Sequence, residues 1–149
     1  MKNHQFTIEI NAPREKVWKI LWDEKSYSVW TSPFSEGSKM ETDLQEGSRV
    51  FFLNAAGDAG MISIIEKKDE PNFISFRHIG VIKDGKEITE GKEVEKWAPV
   101  YENYTLKEKN GTTQLMVDMD IDEKYKDFFY ETWPKALANV KSLSEEKEK

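Results

Sequence analysis

Residues 123–143 read EKYKDFFYETWPKALANVKSL, and the way this stretch must be buried decides how the rest of the chain is arranged. Tyr125, Phe128, Phe129, Thr132, Trp133, Ala136, Leu137, Val140 and Leu143 recur three and four residues apart, the spacing of one apolar helix face. Asp122 is placed to cap the start, and Glu123 suits the positive end of the helix dipole. Pro134 removes a hydrogen bond and crowds the carbonyl of Tyr130, so a bend is expected there. The tail over 144–149 is expected to fray. An aromatic helix of this length needs a broad apolar surface to lie on.

The preceding residues supply one. Phe6, Ile8 and Ile10 alternate with Thr7 and Glu9, the period of a strand with one buried face. Asn11-Ala12-Pro13 then opens a helix reaching about Trp22, with Glu15 in its first turn and Val17, Ile20 and Leu21 on one side. A second short helix is expected over 26–30, stopped ahead of Pro33. Strand-sized segments follow at 38–42, 48–54, 60–67 and 72–82, with breaks at Glu46-Gly47, Ala56-Gly57-Asp58 and Glu70-Pro71-Asn72. Such short links favour antiparallel neighbours. The polar stretch 83–96, with Asp84-Gly85 and Glu90-Gly91 as turn signals, reads as a hairpin arm or loop. Strands over 100–108 and 112–120 flank Lys109-Asn110-Gly111. Seven strands, two short helices after the first of them and a long terminal helix give an α+β order, a curved antiparallel sheet with helices on one face. A strongly twisted sheet curls, and the terminal helix can cover its concavity without filling it, so a cavity is expected.

Composition limits the chemistry. The 149 residues carry 22 basic and 28 acidic side chains, a formal charge of −6 and no cysteine. One domain over 1–149 is the natural reading of that length. Thiol nucleophiles, cysteine-bound zinc and iron–sulfur clusters are excluded. His4 and His78 are the only histidines, too few for a multi-histidine metal site in one chain. Basic residues are interleaved with acidic ones and arginine occurs only at Arg14, Arg49 and Arg77, which argues against nucleic acid. No apolar run approaches the roughly 20 residues of a membrane helix, and the N-terminus lacks a secretory apolar core. A cytoplasmic protein is expected. Asp118, Asp120 and Asp122 fail as a calcium loop, since the sixth and twelfth positions are Glu123 and Phe129 rather than Gly and Glu. A serine elbow, a phosphate loop and a dinucleotide fingerprint are all missing, and no cofactor is expected.

The segments Ile8-Glu9-Ile10-Asn11-Ala12-Pro13, Val17-Trp18, Trp30, Glu46-Gly47-Ser48 and Trp133-Pro134-Lys135-Ala136-Leu137 together resemble the START-like (SRPBCC), birch-pollen-allergen-like superfamily. Within it, the chain resembles single-domain members of the heat-shock protein 90 ATPase activator homologue family. The resemblance spans essentially the whole chain and implies a helix-grip fold with a pocket between sheet and terminal helix. Across the superfamily that pocket serves lipids, hormones, polyketides or partner proteins, so the fold leaves the ligand unnamed. A chaperone partner is the alternative implied by the family, although this chain has no room for the further N-terminal domain of the eukaryotic activators.

Strand parity selects candidate site residues. Taking the more apolar parity as concave puts Phe6, Ile8, Ile10, Val50, Phe52, Leu115, Val117 and Met119 inside. Leu106 inward brings Tyr104 and Glu102 with it, and Ile74 and Phe76 bring His78. A buried carboxylate is expensive unless paired, so His78, Glu102 and Tyr104 are read as orienting the polar group of an apolar or amphipathic ligand. The plain alternative is a satisfied histidine and an exposed glutamate. Trp30, Trp97, Phe128, Phe129 and Trp133, with Phe52 and Phe76, are candidates for the wall or opening; an ordinary core would use the same residues and is the preferred reading of Phe129 and Trp133, and Trp97 serves either as a lid contact or as a strand anchor. A monomeric, non-enzymatic binding protein is the expectation. A small cyclase, hydrolase or isomerase using Glu102 and His78 is the catalytic alternative.

Overall fold

The computed structural model describes residues 1–146. The chain runs β1 (Lys2–Ile10), α1 (Arg14–Trp22), α2 (Glu24–Trp30), β2 (Lys39–Glu41), β3 (Arg49–Leu53), β4 (Gly60–Asp69), β5 (Phe73–Lys83), β6 (Lys86–Ile88), α3 (Lys92–Glu95), β7 (Val100–Lys109) and β8 (Thr112–Ile121). A single 3-10 turn, Glu123–Tyr125, then leads into α4 (Lys126–Glu145). The strands form one antiparallel sheet in the order β1-β8-β7-β5-β4-β3-β2, with β6 paired to the far end of β5. The sheet is open and curved, and α4 lies across its concave side against β1, α1 and α2, a helix-grip arrangement.

Seven of the strands stand where the alternation places them. The eighth, β6, comes from the polar arm: Asp84 and Gly85 take φ of 51° and 76°, the left-handed pair that closes a two-residue hairpin, and fold β6 back onto β5. The same device at Asn110 and Gly111, φ 54° and 80°, joins β7 to β8. The rest of the arm forms the short α3, whose Val94 is buried. Two further boundaries move. The second helix starts at Glu24, with Ser26 Oγ donating to the Ile20 carbonyl, and the terminal helix begins with a 3-10 turn capped by Asp122, which accepts from the Lys124 amide at 3.1 Å.

Pro134 sits inside α4 on its exposed side. The expected frayed tail starts later than its first residue, because Ser144 is buried and α4 runs to Glu145, whose carboxylate accepts from the Asn11 amide and from Lys141. Residues 147–149 of that tail lie outside the described residues.

The core is one cluster between the concave face and the helices. Ile10, Val17, Leu21, Val50, Ile74, Phe76, Leu115, Val117, Ala136 and Val140 have no exposed surface. Every inward position expected from parity is found inward. Across the sheet, Ile8 faces Leu115, Leu106 faces Leu115, Tyr104 faces Val117 and Ile74 faces Tyr104. Trp133 docks α4 onto this layer. It lies 5.9 Å from Phe6, 4.9 Å from Phe34, 6.2 Å from Trp30 and 6.3 Å from Tyr104, ring centre to ring centre. Its indole N–H points at the sulfur of Met119, 3.2 Å away.

Candidate ligand site

Three strands bring four polar side chains together on the apolar side. In β7, Tyr104 and Glu102 are two residues apart and so share the inward parity. In β5, Phe76 pairs opposite Glu102 and His78 opposite Val100. In β4, Ser63 stands opposite His78 because of a bulge: Ile62 pairs with Gly80 and Ser63 with His78, leaving Ile79 unpaired. An extra residue in one strand shifts register and re-aims its side chains. Without it Ser63 would face Ile79.

The four groups form a continuous chain. The Tyr104 hydroxyl donates to Glu102 Oε2 at 2.5 Å, His78 Nε2 lies 3.2 Å from Glu102 Oε1, and Ser63 Oγ lies 2.5 Å from His78 Nδ1. Ser63 is fully buried and His78 nearly so, whereas the Glu102 side chain keeps 16% of its surface accessible. Burial alone would raise the Glu102 carboxyl. The donors His78 and Tyr104 outweigh it and hold the group below its ordinary range. Burial, reinforced by the Glu102 charge, pushes the phenols of Tyr104 and Tyr27 up, so both stay protonated.

Aromatic rings surround this chain. Phe52 packs on Phe76 at 5.2 Å, on His78 at 5.9 Å and on Tyr27 at 6.4 Å. Tyr104 meets Trp22 at 4.9 Å and Phe76 at 6.0 Å. Trp30, 6.5 Å from Tyr104, is pinned by its indole N–H donating to the Leu21 carbonyl. The result is a polar floor in an aromatic niche, with Glu102 as its one carboxylate among the described residues.

The expected residues separate into two groups. Trp30, Phe52, Phe76, His78, Glu102, Tyr104 and Trp133 are assembled around one centre. Phe129 is half-buried and packs at the edge with Phe34, and Phe128 belongs to the same edge cluster but is 48% exposed, so it is a surface residue and no cavity wall. Trp97 lies in the turn after α3, its amide donating to the Val94 carbonyl, and among the described residues its ring pairs with no other aromatic. Tyr27 and Ser63 were absent from the expectation. Ser63 carried a signal, a lone hydroxyl inside the aliphatic run 61–65; Tyr27 had only its spacing of three from Trp30.

The expected hollow under α4 is filled. The rings of Trp30, Trp133, Phe76 and Tyr104, each at most 3% exposed, occupy the space between sheet and helix. Among the described residues, two open grooves lie on other surfaces: one of about 510 Å³ beside Glu9, Lys107 and Gln114, and one of about 230 Å³ along 87–90. Aromatic side chains are large enough to close a concavity that aliphatic ones would leave open. Ser63, His78 and Glu102 have the residue types of a hydrolytic triad, yet Ser63 is sealed from any substrate.

With this geometry established, comparison with known proteins is informative. The sequence profile described as "Activator of Hsp90 ATPase homolog 1-like protein" matches residues 11–145. The chain belongs to this family. Solved structures of similar fold are an Aha1 dimer from Colwellia psychrerythraea, at TM-score 0.73 and 17% identity over 99% of this chain and 100% of that one, and a protein from Chromobacterium violaceum, at 0.69 and 17% over 99% and 100%. CalU16 from Micromonospora echinospora aligns at 0.66 and 17% over 96% and 76%. No curated protein sequence matches the chain. Family and fold mark the protein as a ligand-binding or chaperone-associated module in general. No helix among the described residues is long and apolar enough to cross a membrane.

Proposed function

We propose that this family member is a non-enzymatic, cytoplasmic binding protein that receives an apolar or amphipathic small molecule at the aromatic niche and anchors its polar group on Glu102, His78 and Tyr104. The observation that carries the reading is a carboxylate bonded to His78 and Tyr104 among aromatic rings, those donors holding it below its ordinary range. Removing such a charge from water costs several kcal/mol, and an apolar residue of similar volume often serves stability as well or better. A partner that visits the site gives the charge a purpose that packing alone does not.

Every ring around the site is buried except Phe52, which is half-buried and packs on Tyr27, Phe76 and His78, so uptake requires side-chain movement at Phe52. The test is neutral on charge. N-phenylnaphthylamine, an uncharged apolar fluorophore, is titrated into the purified protein while native mass spectrometry reads what co-purifies. Saturable emission enhancement, weakened in Phe52→Ala, is expected; linear, unsaturable emission with no bound species would remove the reading.

A second reading, a chaperone-docking module, is favoured by the exposed Phe128 beside Phe34 and Phe129. A cluster of this kind at the protein surface is the usual material of a protein contact.

A further inference from the structure

We propose that the polar group received by the niche is a cation, the protonated amine of a largely apolar molecule. This rests on the small-molecule reading above and narrows it to a chemical class.

The first observation is charge. The groups acting on Glu102 are His78 and Tyr104, with no lysine or arginine among them. The second is the proton inventory. Ser63 Oγ is fully buried, and its partner among the described residues is His78 Nδ1. Its hydroxyl either donates to Nδ1 or accepts from it; the ionised Glu102 can only accept, so in both cases His78 presents an N–H to it. That N–H is on Nε2, facing Glu102 Oε1. No lysine or arginine faces the carboxylate, so the niche supplies Glu102 with no permanent cation and its only charge partner is His78, a cation only when protonated.

The third observation is unused capacity. A carboxylate offers roughly four lone-pair sites, and His78 and Tyr104 take two. What remains is acceptor only, on the part of Glu102 that stays accessible. An ammonium supplies donors and charge together. Phe76 lies directly across the β5–β7 pairing from Glu102, and Phe52 packs on both Phe76 and His78. Their ring faces carry negative potential that attracts a cation further. The formal charge of −6 biases encounter in the same direction. An anionic headgroup would meet Glu102 in a partly dehydrated setting, where like charges repel far more strongly than in water.

Three compounds with one apolar body separate the classes: phenylbutylammonium, phenylbutanol and phenylbutyrate, each competed against N-phenylnaphthylamine at neutral pH. The expected order is ammonium, then alcohol, then carboxylate, with about tenfold or more between first and last. Glu102→Gln, checked for folding by circular dichroism, should bring the three within about twofold of each other. The wild-type comparison decides even if that variant does not fold. If the fluorophore binds and the carboxylate competes as well as the ammonium, the cation class is overturned while the niche stands. If neither the fluorophore nor any of the three binds, both proposals fall.

Discussion

Glu102 owes its state to its neighbours. Its carboxyl sits below the ordinary value of 4.5 because His78 and Tyr104 donate to the ionised form, so the folded protein binds that proton less readily than the unfolded chain. Stability from this site is therefore fully present above about 4.5 and is lost as pH falls through the folded value. Urea unfolding of wild type and Glu102→Gln between neutral pH and the acid range tests this. The wild-type advantage should shrink steadily below 4.5. A difference that stays constant with pH would show that the charge contributes nothing at this position. These residues were legible early because inward parity is a local property: once Leu106 and Phe76 are assigned to the core, Tyr104, Glu102 and His78 must follow. Ser63 was not, since its pairing with His78 depends on the unpaired Ile79, a register shift that strand alternation alone does not reveal.

At the scale of elements, β3 and β4 show how closely backbones must approach to hold this curvature. Gly60 begins β4 opposite Leu53, and a Cβ there would stand 1.9 Å from the Phe52 carbonyl oxygen. Gly60→Ala is expected to cost about 2 kcal/mol or more, since an overpacked site in a well-filled region forces backbone shifts. Gly47→Ala is the control. Gly47 has φ of 87° but open space around it, so it should lose only about 1–2 kcal/mol from the left-handed backbone. Equal losses in chemical denaturation would mean the carbonyl contact is readily relieved. Gly60→Ala should also weaken N-phenylnaphthylamine binding, because Phe52 moves with the strand. The helices were readable at this scale from spacing and caps, and their boundaries moved by two or three residues, the second helix starting earlier at Glu24 and the terminal one opening as a 3-10 turn before Lys126. The polar arm was harder to read, since β6 is stabilised by β5 rather than by any pattern of its own.

For the whole molecule, the question is whether the apolar surface left outside is enough to hold a partner. Tyr125, Phe128, Tyr130 and Val29 are each about half exposed. Lys124 and Lys126 place their ammonium groups 5.2 and 5.9 Å from the rings of Tyr125 and Tyr130, which keeps that end of α4 hydrated. A monomer is the outcome this surface predicts, whereas the structurally similar Colwellia psychrerythraea protein is a dimer. Light scattering should give a mass near 17.4 kDa, unchanged by adding purified heat-shock protein 90. A doubled mass, or co-elution that Phe128→Ser abolishes, would move the function from the niche to the Phe34–Phe128 edge.

The succession of elements and the inward set of each strand follow from the amino-acid order, because side-chain period and turn chemistry act over a few residues, whereas the meeting of His78 with Glu102 needed the register that β5 and β7 take across the intervening arm. Whether the concavity stays hollow is a different kind of fact. It depends on how rings from α1, α2, α4, β3, β5 and β7 share one volume, a sum over residues far apart in the chain. Tertiary packing alone decided that Trp30, Phe76, Tyr104 and Trp133 fill it and that Tyr27 and Ser63 join the polar floor.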